Sequence, residues 1–291
     1  MEKNAENRDI LLKGLCCNGE IAVAVLKTTA MVNEGIRIHG LSPVAAAAFG
    51  RTITAATFMA SGLKNREDKL YVTVKGDGAG GKITVCGNGD LYMRGSVLNG
   101  KVDLPLKPNG KLDVGGFVGK NGRITVVKSM GLKEPYSGSS ALVSGEIAED
   151  FTAYYAISEQ QPTAMALGVL IGKEKTCISA GGVIVQAMPG ASEKSLTFAE
   201  NVINSLSDVS RQLLDKDACE FAKSLFTDAE FIASYPIYKC LCDKEYVKGI
   251  LVSLGKAELD DIIAKEKEIK VDCEFCGKSY VFDADDVAKL F

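Results

Sequence analysis

The chain has 291 residues, 46% of them hydrophobic and 24% charged, which excludes a wholly disordered, collagen-like or coiled-coil protein. Its length predicts two domains, or one large domain with an appendage, with ample material for a sizeable core. The formal net charge is −3, and residues from Pro236 onward, with nine Lys against twelve Asp and Glu, account for all of it. The overall charge therefore disfavours nucleic-acid binding, although a local basic groove in the rest of the chain stays possible.

Neither a signal peptide nor a membrane span is predicted. Residues 1–9 are polar and contain no apolar segment, and no apolar run approaches the ~18 residues that a spanning helix needs. We therefore expect a cytoplasmic protein with no membrane partner. Thiols stay reduced in that compartment, so patterned cysteines favour metal or redox chemistry over a structural disulfide framework.

The region up to residue 188 predicts a mixture of helices and strands. Ser42 as N-cap, Pro43 at the first helical position and Gly62 just past the end predict one helix over 43–61. A second helix is predicted at 149–159. Period-two alternation or buried apolar runs predict strands at 21–26, 70–75, 83–86, 91–94, 123–128, 164–171 and 176–187. The predicted class is α+β, with a mixed helix and antiparallel-sheet N-terminal domain over 1–188.

A helical linker is predicted over 189–235. Apolar residues between 196 and 213 recur at helical spacing, and we interpret this stripe as core packing in preference to a surface that binds another protein. Shorter helical patterns follow at 221–226 and 229–235, and Pro236 ends them. The remaining residues, 236–291, form a predicted small domain with helices at 244–254 and 257–265 and strands at 268–271 and 280–282.

A glycine-rich segment at residues 76–82 resembles a nucleotide-binding loop. It fits G-x-G-x-x-G and comes close to a P-loop, but Ile83 stands where the P-loop needs a hydroxyl to hold Mg²⁺. Both motifs also need a following helix whose N-terminus faces the phosphate, and 83–86 is a predicted strand. We interpret the segment as a wide turn between two strands and predict no nucleotide cofactor.

Four of the nine cysteines occupy paired spacings near the C-terminus. Cys240 and Cys242 form a C-x-C, thirty residues intervene, and Cys273 and Cys276 form a C-x-x-C followed by Gly277. Two such pairs complete a tetrahedral set of four sulfur ligands, which suits zinc. The pattern predicts one Zn²⁺ per chain in the reduced protein, and the metal would supply folding energy that so small a domain lacks.

The single histidine restricts the other chemistry that the chain can support. A Ser-His-Asp or Cys-His hydrolase would depend on His39 alone, and no motif surrounds it, so we interpret it as a loop or near-cap residue before a helix start. No catalytic residue is predicted. The other five cysteines are interpreted as buried, inert thiols by default: Cys16, Cys17, Cys86, Cys177 and Cys219.

Two alternatives remain open from the residues. One is a constitutive zinc-ribbon module that binds nucleic acid or another protein, although the acidic balance after Pro236 disfavours nucleic acid. The other is a thiol oxidoreductase that uses Cys273 and Cys276. Such enzymes usually place the pair at a helix N-terminus in a βαβ context, whereas here short strands flank it.

The cysteine module resembles that of the heat shock protein 33 family of redox-regulated chaperones. The family pattern of C-x-C, about thirty residues and C-x-x-C is matched at Cys240, Cys242, Cys273 and Cys276. The resemblance extends over essentially the whole chain, in family order, through His39 with the helix at 42–62 and the segments 31–35 (MVNEG), 76–78 (GDG), 158–163 (SEQQPT), 180–190 (AGGVIVQAMPG) and 252–259 (VSLGKAEL).

The resemblance implies an ATP-independent holdase that is inactive when reduced and zinc-bound. Peroxide or hypochlorous acid would convert Cys240–Cys242 and Cys273–Cys276 to disulfides and release zinc. The C-terminal region would then unfold and expose apolar surface to unfolding client proteins. We expect a homodimer after oxidation, no enzymatic activity and no nucleic-acid or membrane partner. The extra cysteines, above all the vicinal Cys16 and Cys17, bear on whether only these two disulfides form.

Overall fold

The computed structural model describes residues 8–131, 133–214 and 216–291 of the chain. The chain forms two compact units, of which the first ends at Tyr238 and the second spans Lys239–Phe291. Both combine helices with antiparallel strands, which confirms the predicted α+β class. The polar segment at 1–7, on which part of the signal-peptide prediction rests, lies outside the described residues. In the described part of the chain no helix has the length and apolar character to cross a membrane.

A buried helix, α2 (Pro43–Ala60), lies at the centre of the first unit. It begins as predicted, because the Ser42 hydroxyl accepts a hydrogen bond from the backbone N–H of Ala45 at 3.2 Å and Pro43 occupies the first turn. Its alanines are fully buried, and their small side chains let strands of two sheets pack closely against it. The preceding helix, α1 (Thr29–His39), ends at the single histidine, directly before its C-cap Gly40. His39 is therefore a near-cap residue, one of the two interpretations made from the sequence, although it ends a helix.

The first sheet is antiparallel, with the strand order β10-β1-β2-β9-β8. Its strands are β1 (Ile10–Cys16), β2 (Ile21–Lys27), β8 (Thr163–Ile171), β9 (Cys177–Ala187) and β10 (Glu230–Ser234). One face packs on α2 and the other on α5 (Glu193–Ser205), α6 (Val209–Leu214) and α7 (Ala218–Leu225). The stripe predicted at 196–213 breaks after Ser205 into two helices. Its apolar residues are buried against the sheet, which confirms the core-packing interpretation.

One secondary-structure prediction in the linker is wrong. Residues 229–235 do not continue the helical pattern but contain β10, the edge strand of the first sheet. Backbone pairing decides the outcome: Gly14 of β1 lies opposite Phe231 and Leu12 lies opposite Ala233. A segment this short has little helical preference of its own, so hydrogen bonds to a neighbouring strand override it.

The second sheet has six strands in the order β11-β5-β4-β3-β6-β7, all antiparallel except for the β11–β5 pair. They are β3 (Lys69–Lys75), β4 (Lys82–Asn88), β5 (Tyr92–Val97), β6 (Arg123–Ser129), β7 (Tyr136–Ala141) and β11 (Ile237–Tyr238). Along β3, Leu70, Val72 and Val74 are buried toward α2, whereas the alternate residues face outward. Two similar segments, 81–85 (GKITV) and 122–126 (GRITV), each lead into one of the strands that flank β3, namely β4 and β6.

The glycine-rich segment is a turn between β3 and β4, as predicted. Its backbone amides are used inside the protein, because Gly78 N–H donates to the Val118 carbonyl at 3.0 Å and Gly80 N–H donates to Phe117 at 2.8 Å. Both acceptors belong to the short helix α3 (Val114–Val118). No helix N-terminus follows the turn, so it offers no phosphate cradle.

Two further elements complete the first unit. The predicted helix near 149–159 is α4 (Ile147–Tyr154), which continues as one π-helical turn to Glu159.

The second unit contains α8 (Lys244–Leu254), α9 (Lys256–Glu266), β12 (Ile269–Asp272), β13 (Ser279–Phe282) and α10 (Ala284–Ala288). Its apolar core is small, and the buried side chains are Val247, Leu251, Leu259, Ile269, Phe282 and Val287.

Candidate metal centre

A tight turn between β12 and β13 places Cys273 and Cys276 on one side. The Cys273 N–H donates to the Lys278 carbonyl at 2.9 Å, and the Gly277 N–H donates back to the Cys273 carbonyl at 2.9 Å. Gly277 has a φ of 69°, in the left-handed region that glycine adopts at little cost. The C-x-x-C-G spacing therefore folds locally into a knuckle that directs both thiols the same way.

Cys240 and Cys242 precede α8 and complete a cluster of four thiols. The Sγ–Sγ separations are 3.4 Å for Cys240 and Cys242, 3.7 Å for Cys240 and Cys273, and 3.3 Å for Cys242 and Cys276. All four sulfur atoms lie within 4.8 Å of one another. A tetrahedron with ~2.3 Å metal–sulfur bonds has sulfur–sulfur edges of about 3.8 Å, so the four side chains could hold one metal ion and are compatible with zinc.

Tyr280 supports the cluster, and the sequence patterns did not single it out. Its hydroxyl lies 3.0 Å from the Cys242 carbonyl oxygen and 3.2 Å from the Cys242 sulfur, and it can donate a hydrogen bond to either. The sequence feature that could have identified Tyr280 is an aromatic residue with a hydroxyl group on the strand directly after the C-x-x-C turn. Strand pairing of Tyr280 with Val271 across β12 and β13 turns it back toward the cysteines.

The four thiols do not share one electrostatic environment. Burial raises the pKa of Cys242, but hydrogen bonds from Tyr280 and from neighbouring thiols outweigh it and lower the value to about 7. Burial raises the pKa of Cys276 to about 11 and also raises that of Cys240. Four thiolates so close together repel one another, so a bound cation is needed for all of them to be ionised near neutral pH.

The remaining cysteines lie outside this cluster. Cys16, Cys86 and Cys177 are buried, and burial raises the pKa of each, to about 12, about 11 and about 12. They therefore match the prediction of inert buried thiols. Cys17 is only partly buried and Cys219 is exposed, so the prediction of burial fails for Cys219, which lies in the first turn of α7.

A mixed α+β unit followed by a small unit with four clustered thiols defines the class: a two-unit protein with a four-cysteine cluster that could hold a metal ion. Three comparisons identify the family. The Hsp33 protein family matches residues 9–283. The chain is 38% identical to the 33 kDa chaperonin of Clostridium acetobutylicum over 97% of each chain, and 41% identical to that of Acetivibrio thermocellus over 97% of this chain and 96% of the relative.

A solved structure agrees with the sequence matches. The crystal structure of the 33 kDa chaperonin, an Hsp33 homologue from Thermotoga maritima, superposes with a TM-score of 0.89, covers 98% of both chains and is 30% identical. The chain belongs to the Hsp33 family. The family resemblance stated from the sequence is confirmed, and the names of these relatives identify a family of chaperones.

Proposed function

We propose that this protein is an ATP-independent holdase that oxidation switches on. The observation that carries the proposal is the cluster of four thiols within 4.8 Å, placed in a unit whose core has only six buried apolar side chains. A unit with so small a core depends on bound metal for its folding free energy. Whatever removes the metal therefore unfolds the unit.

The proposed metal is one Zn²⁺ held by Cys240, Cys242, Cys273 and Cys276. Four sulfur ligands in a tetrahedral arrangement select zinc over cations that prefer oxygen ligands, and no redox change of the metal is needed. The ion, when bound, keeps all four thiols deprotonated. Thiolates are the form that peroxide attacks, so the same side chains that hold zinc also sense the oxidant.

The proposed switch consumes two molecules of peroxide per chain. In each step one thiolate attacks the O–O bond to give a sulfenic acid, a second thiol displaces its oxygen as water, and one disulfide forms. By family resemblance the pairs are Cys240–Cys242 and Cys273–Cys276. Loss of all four ligands releases zinc. The unit unfolds, and apolar surface then binds unfolding client proteins.

The proposal assigns roles to three segments of a cytoplasmic protein that acts in oxidative stress. Residues 1–188 form the chaperone core, 189–235 the helical linker and 236–291 the redox-sensing domain. The oxidised protein is a homodimer. No nucleotide takes part, and the use of the 76–81 backbone amides inside the fold supports this.

The test measures zinc content and suppression of aggregation in the same samples. Reduced protein should contain one zinc per chain and suppress aggregation of a thermally unfolding protein poorly. Peroxide with mild warming should release the zinc and raise the activity, and dithiothreitol should reverse both. Activity that appears while zinc stays bound would reject the switch and favour a constitutive zinc module. Thiol–disulfide exchange activity without stoichiometric zinc would favour an oxidoreductase.

Matched cysteine variants assign the zinc to its ligands. Cys240→Ser with Cys273→Ser removes one ligand from each pair and should abolish stoichiometric zinc. Cys219→Ser changes an exposed thiol outside the cluster and should leave both zinc content and switching unaltered. Full zinc content in the double variant would show that the metal is held elsewhere.

A further inference from the structure

The outward face of the second sheet is cationic and carries no acid. Strands β3 to β7 contain no Asp or Glu. The side chains that alternate with the core residues include five cations, and these are Lys69, Lys75, Lys82, Arg94 and Arg123. A solvent-facing antiparallel sheet more often mixes both signs of charge, because opposite charges on neighbouring strands stabilise it.

Three of these cations lie directly opposite one another on adjacent strands. Lys75 of β3 pairs with Lys82 of β4 on one side and with Arg123 of β6 on the other. Like charges at directly opposed positions destabilise a sheet. None of the three forms an ion pair with a carboxylate of the described residues. Among the described residues the row therefore carries an electrostatic cost that a bound anion would offset.

Two acids in the bordering turns have partners of their own, whereas Glu67, two residues before Lys69, is exposed. In the turn after β3, Asp77 accepts hydrogen bonds from the backbone N–H and side-chain amide of Asn121, at 3.1 and 2.6 Å. In the turn after β4, Asp90 pairs with Arg66 at 3.4 Å. Among the described residues, neither carboxylate forms an ion pair with Lys75, Lys82 or Arg123.

Next to this row, the same face carries hydroxyl groups and one exposed aromatic ring. The neighbouring row of opposed residues consists entirely of Ser and Thr: Ser96, Thr84, Thr73, Thr125 and Ser139. Thr84, in the middle of the row, is buried, so the other four supply the accessible hydroxyl groups. One step further along β3 lies Tyr71, whose side chain is outward and 40% exposed. Cations, hydroxyl donors and an accessible ring are thus arranged in order along one strand.

We propose that this face, defined by Lys69, Tyr71, Lys75, Lys82 and Arg123, binds single-stranded nucleic acid. From Lys69 to Lys75 β3 extends about 20 Å at ~3.3 Å per residue, long enough to follow several nucleotides of an extended strand. The cations contact phosphates, and Tyr71 offers a face on which a base stacks. Inorganic polyphosphate or an acidic peptide would use the cations but gain little from the ring.

The proposal departs from the expectation of no nucleic-acid partner, which rests on net charge. The acidic excess of the sequence lies entirely from Pro236 onward, whereas this face lies wholly in the first unit. Phosphates respond to local potential within about a Debye length of ~10 Å, so an acidic total does not prevent a basic face from binding them.

The test is fluorescence anisotropy of a labelled single-stranded RNA of about 12 nucleotides, titrated with the reduced, zinc-bound full-length protein at several salt concentrations. The charge variant replaces Lys75, Lys82 and Arg123 with Gln. It should bind more weakly and lower the slope of log affinity against log salt by about 2, because each lost phosphate contact removes ~0.7. The control variant replaces Lys256, Lys265 and Lys270 with Gln. It removes three exposed cations from the second unit and should bind like wild type.

Tyr71 distinguishes nucleic acid from other polyanions. Tyr71→Leu keeps an apolar residue suited to a strand but removes the ring, and should weaken RNA binding about tenfold, whereas Tyr71→Phe should retain it. Neither change should alter binding of inorganic polyphosphate. Absence of RNA binding at low salt, equal losses in the charge and control variants, or RNA binding unaffected by Tyr71→Leu would each overturn the proposal.

Discussion

At the scale of single residues, Tyr280 tunes the thiol cluster without being a ligand. Its hydroxyl can donate to the Cys242 sulfur at 3.2 Å and thereby stabilise negative charge on it. Groups that hydrogen-bond a metal ligand typically contribute 10–100-fold to metal affinity. Tyr280→Phe should therefore bind zinc about tenfold more weakly in competition with a chromogenic chelator. The control is Tyr246→Phe, an exposed tyrosine in the same unit, which should match wild type. Equal affinities of wild type and Tyr280→Phe would show that the hydroxyl bonds only the carbonyl.

Asp9 is a buried carboxyl group at the N-terminus of α1. Its two oxygen atoms accept hydrogen bonds from the Ala30 and Met31 N–H groups at 2.8 and 2.7 Å, and the residue is only 3% exposed. Burial raises its pKa to about 7, although the two backbone hydrogen bonds and Lys27 act in the opposite direction. The folded protein therefore keeps this proton at pH values where the unfolded chain has released it.

The sign of the resulting pH dependence follows from that difference. The contribution of Asp9 to stability is complete below the unfolded pKa of 3.8 and is lost as pH rises through about 7. In Asp9→Asn this loss should disappear, so the free energy of unfolding should change less between pH 5 and 7. The amide also gives up one acceptor, which costs about 1 kcal/mol at every pH. Urea unfolding monitored by circular dichroism measures both effects, and parallel pH profiles for the two proteins would contradict the assignment.

At the scale of elements, α5 is attached through its cap to Glu20, the residue before β2. Ser192 is the N-cap of α5, and its hydroxyl and backbone N–H both donate to the Glu20 carboxylate, at 2.6 and 2.9 Å. Ser192→Ala should destabilise α5 by about 1 kcal/mol and speed hydrogen exchange in its first turns. Ser224→Ala removes a hydroxyl bonded only within α7 and should leave exchange in α5 unchanged.

The glycines of the 76–81 turn allow close packing against residues 117–119. A Cβ on Gly78 would lie 2.4 Å from the Phe117 carbonyl oxygen, whereas a Cβ on Gly249 in α8 would meet nothing within 4 Å. Gly78→Ala should therefore lower the stability of the first unit by up to about 3 kcal/mol, and Gly249→Ala should stabilise α8 by about 0.5–1 kcal/mol. Thermal unfolding measures both, and added ATP should shift neither transition. Stabilisation by ATP that Lys82→Ala abolishes would show that the turn binds nucleotide after all.

At the scale of the whole molecule, the two units should respond differently to metal removal. The second unit has six buried apolar side chains in its core, and zinc in comparable modules contributes ~10–16 kcal/mol. Chelation under reducing conditions should therefore unfold 239–291 and leave the sheets of the first unit intact. Limited proteolysis with mass spectrometry should find new cleavage sites after Lys239 and protection of β1 to β9. Continued protection of 239–291 without metal would refute metal-dependent folding.

Local patterns were sufficient wherever neighbouring residues determine the outcome. The Ser42-Pro43 start of α2, the alternation of β3 and the C-x-x-C-G knuckle depend on capping, period-two burial and a left-handed glycine, all of which act within a few residues. The sequence also predicted that the two cysteine motifs form one site, because a metal site with four sulfur ligands needs cysteines at those spacings. The sequence by itself therefore determined the α+β class and the identity of the thiol cluster.

Tertiary structure alone decided the features that depend on distant partners. Residues 230–234 are a strand because β1 offers a free edge, and Tyr280 reaches Cys242 because two strands pair. The opposed row of Lys75, Lys82 and Arg123 exists only once β4 and β6 align on either side of β3. A sequence specifies the net charge and the local spacing of apolar residues. The free energy of strand pairing and the local potential depend on which strands become neighbours. Leu11 and Ser234 are 223 positions apart in the chain and meet only in the folded sheet.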